Sequence, residues 1–158
     1  MGRIACYFTA TDDVQYRYTA LHSKYLHQHN KWSPRVSKNP KVAAVEAYIK
    51  ALSEHDLTAI DALYTDDASL EDPVGSTPVV GKDAILGFYK TAFSSGISAR
   101  MDGAVRLAAN HAVFPFIVEL NPGNGEMRLE IIDQFTFNDD NKVVAMKAFW
   151  GPENASTP

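Results

Sequence analysis

Apolar residues recur at helical spacing in the first part of the chain after Pro40 and at strand spacing in the second. Across Lys41–Glu54, Val45, Tyr48, Ile49 and Leu52 fall at i, i+3, i+4 and i+7, which predicts an amphipathic helix. Asp56 then stands as the N-cap of a second helix, Leu57–Tyr64, and the pair Asp66-Asp67 marks a turn. Ala68–Asp72 alternates as a short strand with Ala68, Leu70 and Asp72 on one side, closed by Pro73 and Gly75. Gly81 leads into a third helix, Lys82–Ser94, that stops at Ser94-Ser95-Gly96. Strands are expected over Ser98–Ala109, Ala112–Leu120, Met127–Phe137 and Val143–Trp150. The turns between them lie at Asn110-His111, 121–125 and 138–141.

Three helices followed by a meander of strands make an α+β domain, with a curved, mostly antiparallel sheet whose concave side the helices cover to enclose a cavity. The chain divides into an extension, 1–39, either partly helical around Tyr16–Tyr25 or loosely packed, a domain over 40–152, and a tail over 153–158.

One residue breaks the oily stripe of the third long strand. Every second position from Met127 to Phe137 reads Met127, Leu129, Ile131, Asp133, Phe135, Phe137, while the opposite face, Arg128, Glu130, Ile132, Gln134, Thr136, is mostly polar. Burial there disfavours the ionised carboxylate and raises its pKa. A neutral acid in an apolar cavity is a hydrogen-bond donor suited to a developing oxyanion; an ordinary structural Asp with a local partner is the alternative that the strand alone leaves open. Tyr48 on the apolar helix face needs a partner for its hydroxyl if buried. Asp72, before Pro73, is biased towards extended backbone at the mouth of such a cavity, where it could stay ionised as a base. Core packing for Tyr48 and a local turn bond for Asp72 are the plain alternatives.

The chain has 158 residues, 46% apolar and 22% charged, enough for one domain with a core. A formal net charge of −4, with no basic run interleaved with aromatics, argues against nucleic acid as a partner. Cys6 is the single cysteine, which excludes an intrachain disulfide and a cysteine-rich zinc site and fits a cytoplasmic location. No apolar run reaches membrane-spanning length, and the first residues lack the core of a secretion signal. His22, His27 and His29 have no acidic or thiol partner nearby, so no metal site is expected from them.

From about Val42 to Trp150 the sequence resembles ketosteroid isomerase, within the NTF2-like and SnoaL-like fold group. The matching stretches are VEAYIKAL, YTDDASLEDPVGSTPVVG, ILGFYKTAF, IIDQFTFN and KVVAMKAFWG, in the family's order and spacing; EDPVGS is the most specific, and the acid in IIDQF supports it. The fold group also holds dehydratases, epoxide hydrolases and cyclases, so fold alone does not fix the reaction. The resemblance implies that Asp72 is the general base, Tyr48 the first oxyanion donor and Asp133 the second, held protonated; this family is the established case of a carboxylic acid kept neutral at pH 7. It implies support for Tyr48 from Tyr64 and Tyr89. It also implies pocket walls from Leu52, Phe88, Phe114, Phe116, Ile131, Met146 and Trp150. The implied ligand is a small-molecule steroid, with no cofactor and no metal, and the implied assembly is a homodimer packed through the sheet. A non-catalytic steroid-binding protein and a hydratase or lyase of the same fold group are the competing readings.

Overall fold

The computed structural model describes residues 39–121, 123 and 125–157. The histidines at 22, 27 and 29, Cys6 and the helix expected around Tyr16–Tyr25 lie outside the described residues.

Helix α1 runs Pro40–Glu54. The Asn39 side chain accepts a hydrogen bond from the Lys41 N–H (3.0 Å), and Pro40 takes the first helical position, where a missing N–H costs nothing. His55 ends the helix in the left-handed conformation, φ 54°. Val45, Tyr48, Ile49 and Leu52 are all buried, as the periodicity predicts. Helix α2, Leu57–Leu63, is capped by the Asp56 carboxylate on the Ala59 N–H at 3.0 Å.

Strand β1 spans Tyr64–Glu71, so two sequence expectations change. Tyr64 opens a strand rather than closing a helix, and Asp66-Asp67 lie within that strand rather than in a turn. The register of β1 is irregular between Tyr64 and Ser69, and the two exposed aspartates sit in that irregular stretch, where charged side chains reach solvent and Lys82 (3.0 Å to Asp66). Strand β2, Val79–Val80, pairs with β1, and helix α3, Lys82–Phe93, buries Ile85, Tyr89 and Phe93 at four-residue intervals.

The long strand expected over Ser98–Ala109 is two strands, β3 (Ser98–Met101) and β4 (Arg106–Ala108). Both pair with β5, His111–Leu120, and the chain leaves the ladder opposite Phe114 and Pro115. Pro115 has no N–H to offer a neighbour. Gly103 passes so close that a Cβ on it would lie 2.9 Å from the Pro115 ring. Strands β6 (Met127–Phe137) and β7 (Val143–Phe149) follow. A 3₁₀ turn at Pro152–Asn154 leads to β8, Ala155–Ser156, which pairs with β6, so part of the expected tail belongs to the sheet.

The sheet order is β2-β1-β7-β6-β5-β3, with β4 also on β5 and β8 on β6. β1 runs parallel to β7 and every other pair is antiparallel, so the curved, unclosed sheet is mixed rather than a pure meander. Helix α1 packs on β3 and β5, α3 on β1 and β2, and α2 on both other helices. The Ser53 hydroxyl donates to the Ala99 carbonyl (2.7 Å) and accepts from the Ala99 N–H (3.0 Å), fastening α1 to the sheet edge. Along β6 the inner residues Leu129, Ile131, Asp133, Phe135 and Phe137 are buried.

Candidate active site

Between α1, α3 and the inner face of the sheet lies a cavity of about 120 Å³. Helix α1 gives it Tyr48 and Leu52, and α3 gives Phe88, Tyr89 and Ala92. The inner faces of β5 and β6 give Phe116, Val118, Leu120, Leu129, Ile131 and Asp133. Asp72, just past the end of β1, Trp150, just past β7, and Ile97 complete the wall. The three polar candidates from the sequence, Tyr48, Asp72 and Asp133, therefore share one cavity.

Asp133 is 0% exposed, the one charged-type side chain in the described core. Neither of its carboxyl oxygens has a hydrogen-bond partner among the described residues. Burial pushes its pKa well above the usual carboxylate range, and the charge of Asp72 raises it further; the nearby Tyr48 hydroxyl pulls the other way. Burial thus favours the neutral acid, whose O–H has no acceptor within hydrogen-bond distance among the described residues and whose nearest polar neighbour is the Tyr48 hydroxyl. Leaving a buried donor unsatisfied costs about 1–3 kcal/mol, which a ligand oxygen in the cavity would recover.

Tyr48 is held by rings on three sides: Phe135 at 5.0 Å, Phe114 at 6.0 Å and Phe116 at 6.1 Å between centroids, all edge-on. Tyr89 donates its hydroxyl to the Tyr48 oxygen at 3.4 Å, and the Tyr64 and Tyr89 hydroxyls lie 2.8 Å apart. Because Tyr89 has one proton and gives it to Tyr48, Tyr64 must be the donor in the second bond. The relay Tyr64→Tyr89→Tyr48 leaves the Tyr48 proton free to point elsewhere. All three phenols titrate well above the ordinary value, chiefly through burial, so they are neutral donors at any physiological pH.

Asp72 is half-buried and accepts a hydrogen bond of 2.7 Å from the Trp150 indole N–H on its Oδ1. Burial raises its pKa and the indole bond partly offsets that rise. Its turn is fixed from outside the cavity: Glu71 accepts from the Gly75 N–H (2.7 Å) and meets Lys147 at 3.4 Å, while the Val74 N–H bonds the Ala148 carbonyl at 2.8 Å. A carboxylate with a raised pKa, braced at a cavity wall, is the form a general base takes. It faces two neutral donors across the same apolar space.

Of the expected pocket walls, Leu52, Phe88, Phe116, Ile131 and Trp150 line the cavity. Phe114 and Met146 do not; both are buried behind it, Phe114 against Tyr48 and Phe135, and Met146 beside Phe135 in the ladder. Tyr64 reaches Tyr48 only through Tyr89. Val118, Leu120 and Leu129 were missed, though period-two alternation beyond Phe116 and Ile131 carries them. Ala92 follows from Phe88 at i+4, but Ile97 precedes its strand and has no periodic signal. Among the described residues, no cluster of His, Cys, Asp or Glu has the arrangement of a metal site, and no helix is long and apolar enough to cross a membrane.

Residues 45–146 match the model of the SnoaL-like domain family. The chain belongs to the SnoaL-like family. The steroid Δ-isomerase of Nocardioides simplex is 42% identical over 110 residues, which are 70% of this chain and 89% of that protein. The solved structure of the epoxide hydrolase/cyclase-like enzyme SalBIII, which has a role in pyran ring formation in salinomycin, superposes with a TM-score of 0.70. It shares 21% identity and covers 75% of this chain and 95% of its own, a likeness of SnoaL-like fold.

Proposed function

We propose that this protein isomerises a 3-oxo-Δ5-steroid to the conjugated 3-oxo-Δ4 product. The observation that carries the reading is the buried acid of Asp133, without a hydrogen-bond partner among the described residues, in the same cavity as the relay-fed hydroxyl of Tyr48 and the carboxylate of Asp72. The similarity to a steroid Δ-isomerase over most of that protein's length supports the same reaction.

Asp72 removes a proton from C4, the carbon between the carbonyl and the double bond. The electron pair moves onto the C3 oxygen and gives a dienolate. Tyr48 and Asp133 donate to that oxygen and form the oxyanion hole; their bonds strengthen as charge develops, so they lower the barrier more than they stabilise the substrate. Asp72 then returns the proton to C6. Electrons and protons balance within the steroid, and the reaction calls for no cofactor. Both donors are prepaid: they are already buried and oriented, so no solvent must reorganise at the moment of reaction.

A substrate carrying deuterium at C4 tests the single-base route. The reading expects label at C6 of the product above the level that exchange with light water leaves; complete loss of label to solvent would show that Asp72 does not carry the proton from one carbon to the other.

We also propose a homodimer through the outer face of the sheet. Pro115, Ile132 and Phe149 are directly cross-strand neighbours, and Ile132 and Phe149 are 46% and 44% exposed. A row of large apolar groups on an otherwise polar face is suited to burial against a second copy.

A further inference from the structure

We infer that Glu71 is a positioning residue for the base: its carboxylate latches the turn that carries Asp72 and keeps Asp72 within reach of both carbons between which the proton moves. The inference rests on the isomerase reading for what Asp72 does. Glu71 is the last residue of β1 and Asp72 the next, so Asp72 lines the cavity while Glu71 leaves the chain on the outer face of the sheet. The two oxygens of Glu71 hold different partners. Oε1 accepts the Gly75 N–H at 2.7 Å, which closes the turn from 71 to 75. Oε2 lies 3.4 Å from the Nζ of Lys147, the ladder partner of Glu71 on β7. One carboxylate thus ties the far end of the turn to its own strand and to the neighbouring one. The bond from Gly75 holds the Glu71 pKa below the ordinary value, so the latch is ionised at neutral pH.

Packing does little to fix this turn. Val74, Gly75, Thr77 and Pro78 are exposed. Gly75 has φ 97°, a conformation that side chains rarely adopt, and nothing lies within 4 Å of where its Cβ would be. Glycine is there for its backbone and brings no contact of its own. Hydrogen bonds hold the turn instead, and the end of β7 supplies the anchors. The Ala148 carbonyl accepts from the Val74 N–H at 2.8 Å, and the Trp150 indole donates to Asp72 Oδ1 at 2.7 Å from the cavity side. Lys147, Ala148 and Trp150 therefore grip the turn from outside, along the strand edge and from inside. The bond at Glu71 is made by a side chain outside the cavity, so it can be removed without touching the site.

The chemistry asks for such a latch. A base that takes a proton at C4 and returns it at C6 has to hold its carboxyl between two carbons through both steps. A misplacement of ~1 Å can cost about 10²-fold in rate. A turn that drifts towards solvent also lets water exchange with the proton that Asp72 carries.

The test uses the full chain, a 3-oxo-Δ5-steroid deuterated at C4, and three variants. Glu71→Ala removes both bonds, Glu71→Gln keeps an oxygen for the Gly75 N–H, and Lys147→Met removes the ion pair alone. Glu71→Ala lowers kcat by about ten- to hundredfold with KM within about twofold, and the label at C6 falls as more of it passes to solvent. Glu71→Gln and Lys147→Met stay within about fivefold of the wild type, because an ion pair open to solvent contributes little. An alanine variant that keeps kcat and label, or a glutamine variant that falls as far, overturns the latch. So does a loss of kcat that only follows the unfolded fraction in a thermal melt.

A second readout needs no turnover. The chain has two tryptophans, so Trp32→Phe leaves the emission to Trp150. That emission changes with pH as Asp72, at the other end of the indole bond, takes up a proton, and Asp72→Asn abolishes the change. In this background the change is smaller with Glu71→Ala than with Glu71→Gln; equal changes overturn the latch. Wild-type turnover with unaffected variants overturns the latch alone. No turnover by the wild type, with an emission change that still depends on Glu71, leaves the latch standing and overturns the isomerase reading.

Discussion

Asp133 concentrates the physics of this site in one side chain. It is buried, has no hydrogen-bond partner among the described residues, and shares its cavity with aromatic and aliphatic groups. Its position was legible because the strand's period-two pattern isolates one acid on an apolar stripe. What the pattern does not carry is the lack of a partner, which depends on side chains from α1 and the neighbouring strands. Replacing Asp133 by Leu removes a donor to the oxyanion and lowers kcat by about 10²–10³, as for other single oxyanion-hole donors. Because it also removes an unsatisfied polar group, the melting temperature stays level or rises; a marked fall in a thermal melt would return Asp133 to a structural role. The bond from Trp150 to Asp72 was invisible in the sequence, since the two residues are 78 positions apart and an indole on an apolar strand end reads as wall. That bond favours ionised Asp72. Trp150→Phe therefore raises the pKa of the base, and the acid limb of kcat/KM moves to higher pH. A pH–rate profile with an unmoved limb would separate Trp150 from the base.

At the scale of elements, the helices were legible from caps and spacing, and Met127–Phe137 is the strand the alternation predicts. The departures have local causes. Pro115 interrupts the ladder and divides one long strand into β3 and β4, and Asp66-Asp67 mimic a turn because charged side chains sit where the register of β1 is irregular. The parallel pairing of β1 with β7 joins residues far apart in the chain, and no local pattern announces it. That pairing brings Asp72 and Trp150 together, and it places Tyr64 beside α3, where the tyrosine relay forms. Tyr89→Phe removes the donor to Tyr48 and leaves the Tyr64 hydroxyl buried without its partner. It should cost up to about tenfold in kcat, from a bond worth about 0.5–1.5 kcal/mol, together with ~1–3 kcal/mol of stability. Tyr64→Phe spares the bond to Tyr48 and should affect kcat less. Equal effects of the two variants on kcat, measured side by side, would show that the relay has no direction.

Across the whole molecule, the buried acid links stability to pH. The folded pKa of Asp133 lies well above its unfolded value of about 3.9, so the native state binds the extra proton. Its favourable contribution is complete below that unfolded value and is lost as pH rises towards the folded one. The difference in unfolding free energy between the wild type and Asp133→Asn, followed by urea titration from acid to alkaline pH, should shift steadily against the wild type over that window. A difference flat with pH would mean that Asp133 ionises freely. The outer face makes a separate prediction. Ile132→Lys places a charge in the apolar row and should convert a dimer to a monomer in sedimentation, whereas a wild type that sediments as a monomer would remove that interface.

The central claim is that Asp72 carries a proton across a steroid whose oxyanion is held by Tyr48 and Asp133. Absorbance of the conjugated enone, followed as purified protein meets 5-androstene-3,17-dione, tests it most directly when Asp72→Asn is run alongside. The account predicts a rapid rise with the wild type and a rate lower by about 10²–10⁴ in the variant, the usual contribution of a general base. A wild type that binds the steroid without any rise, or a variant that keeps the wild-type rate, would contradict it.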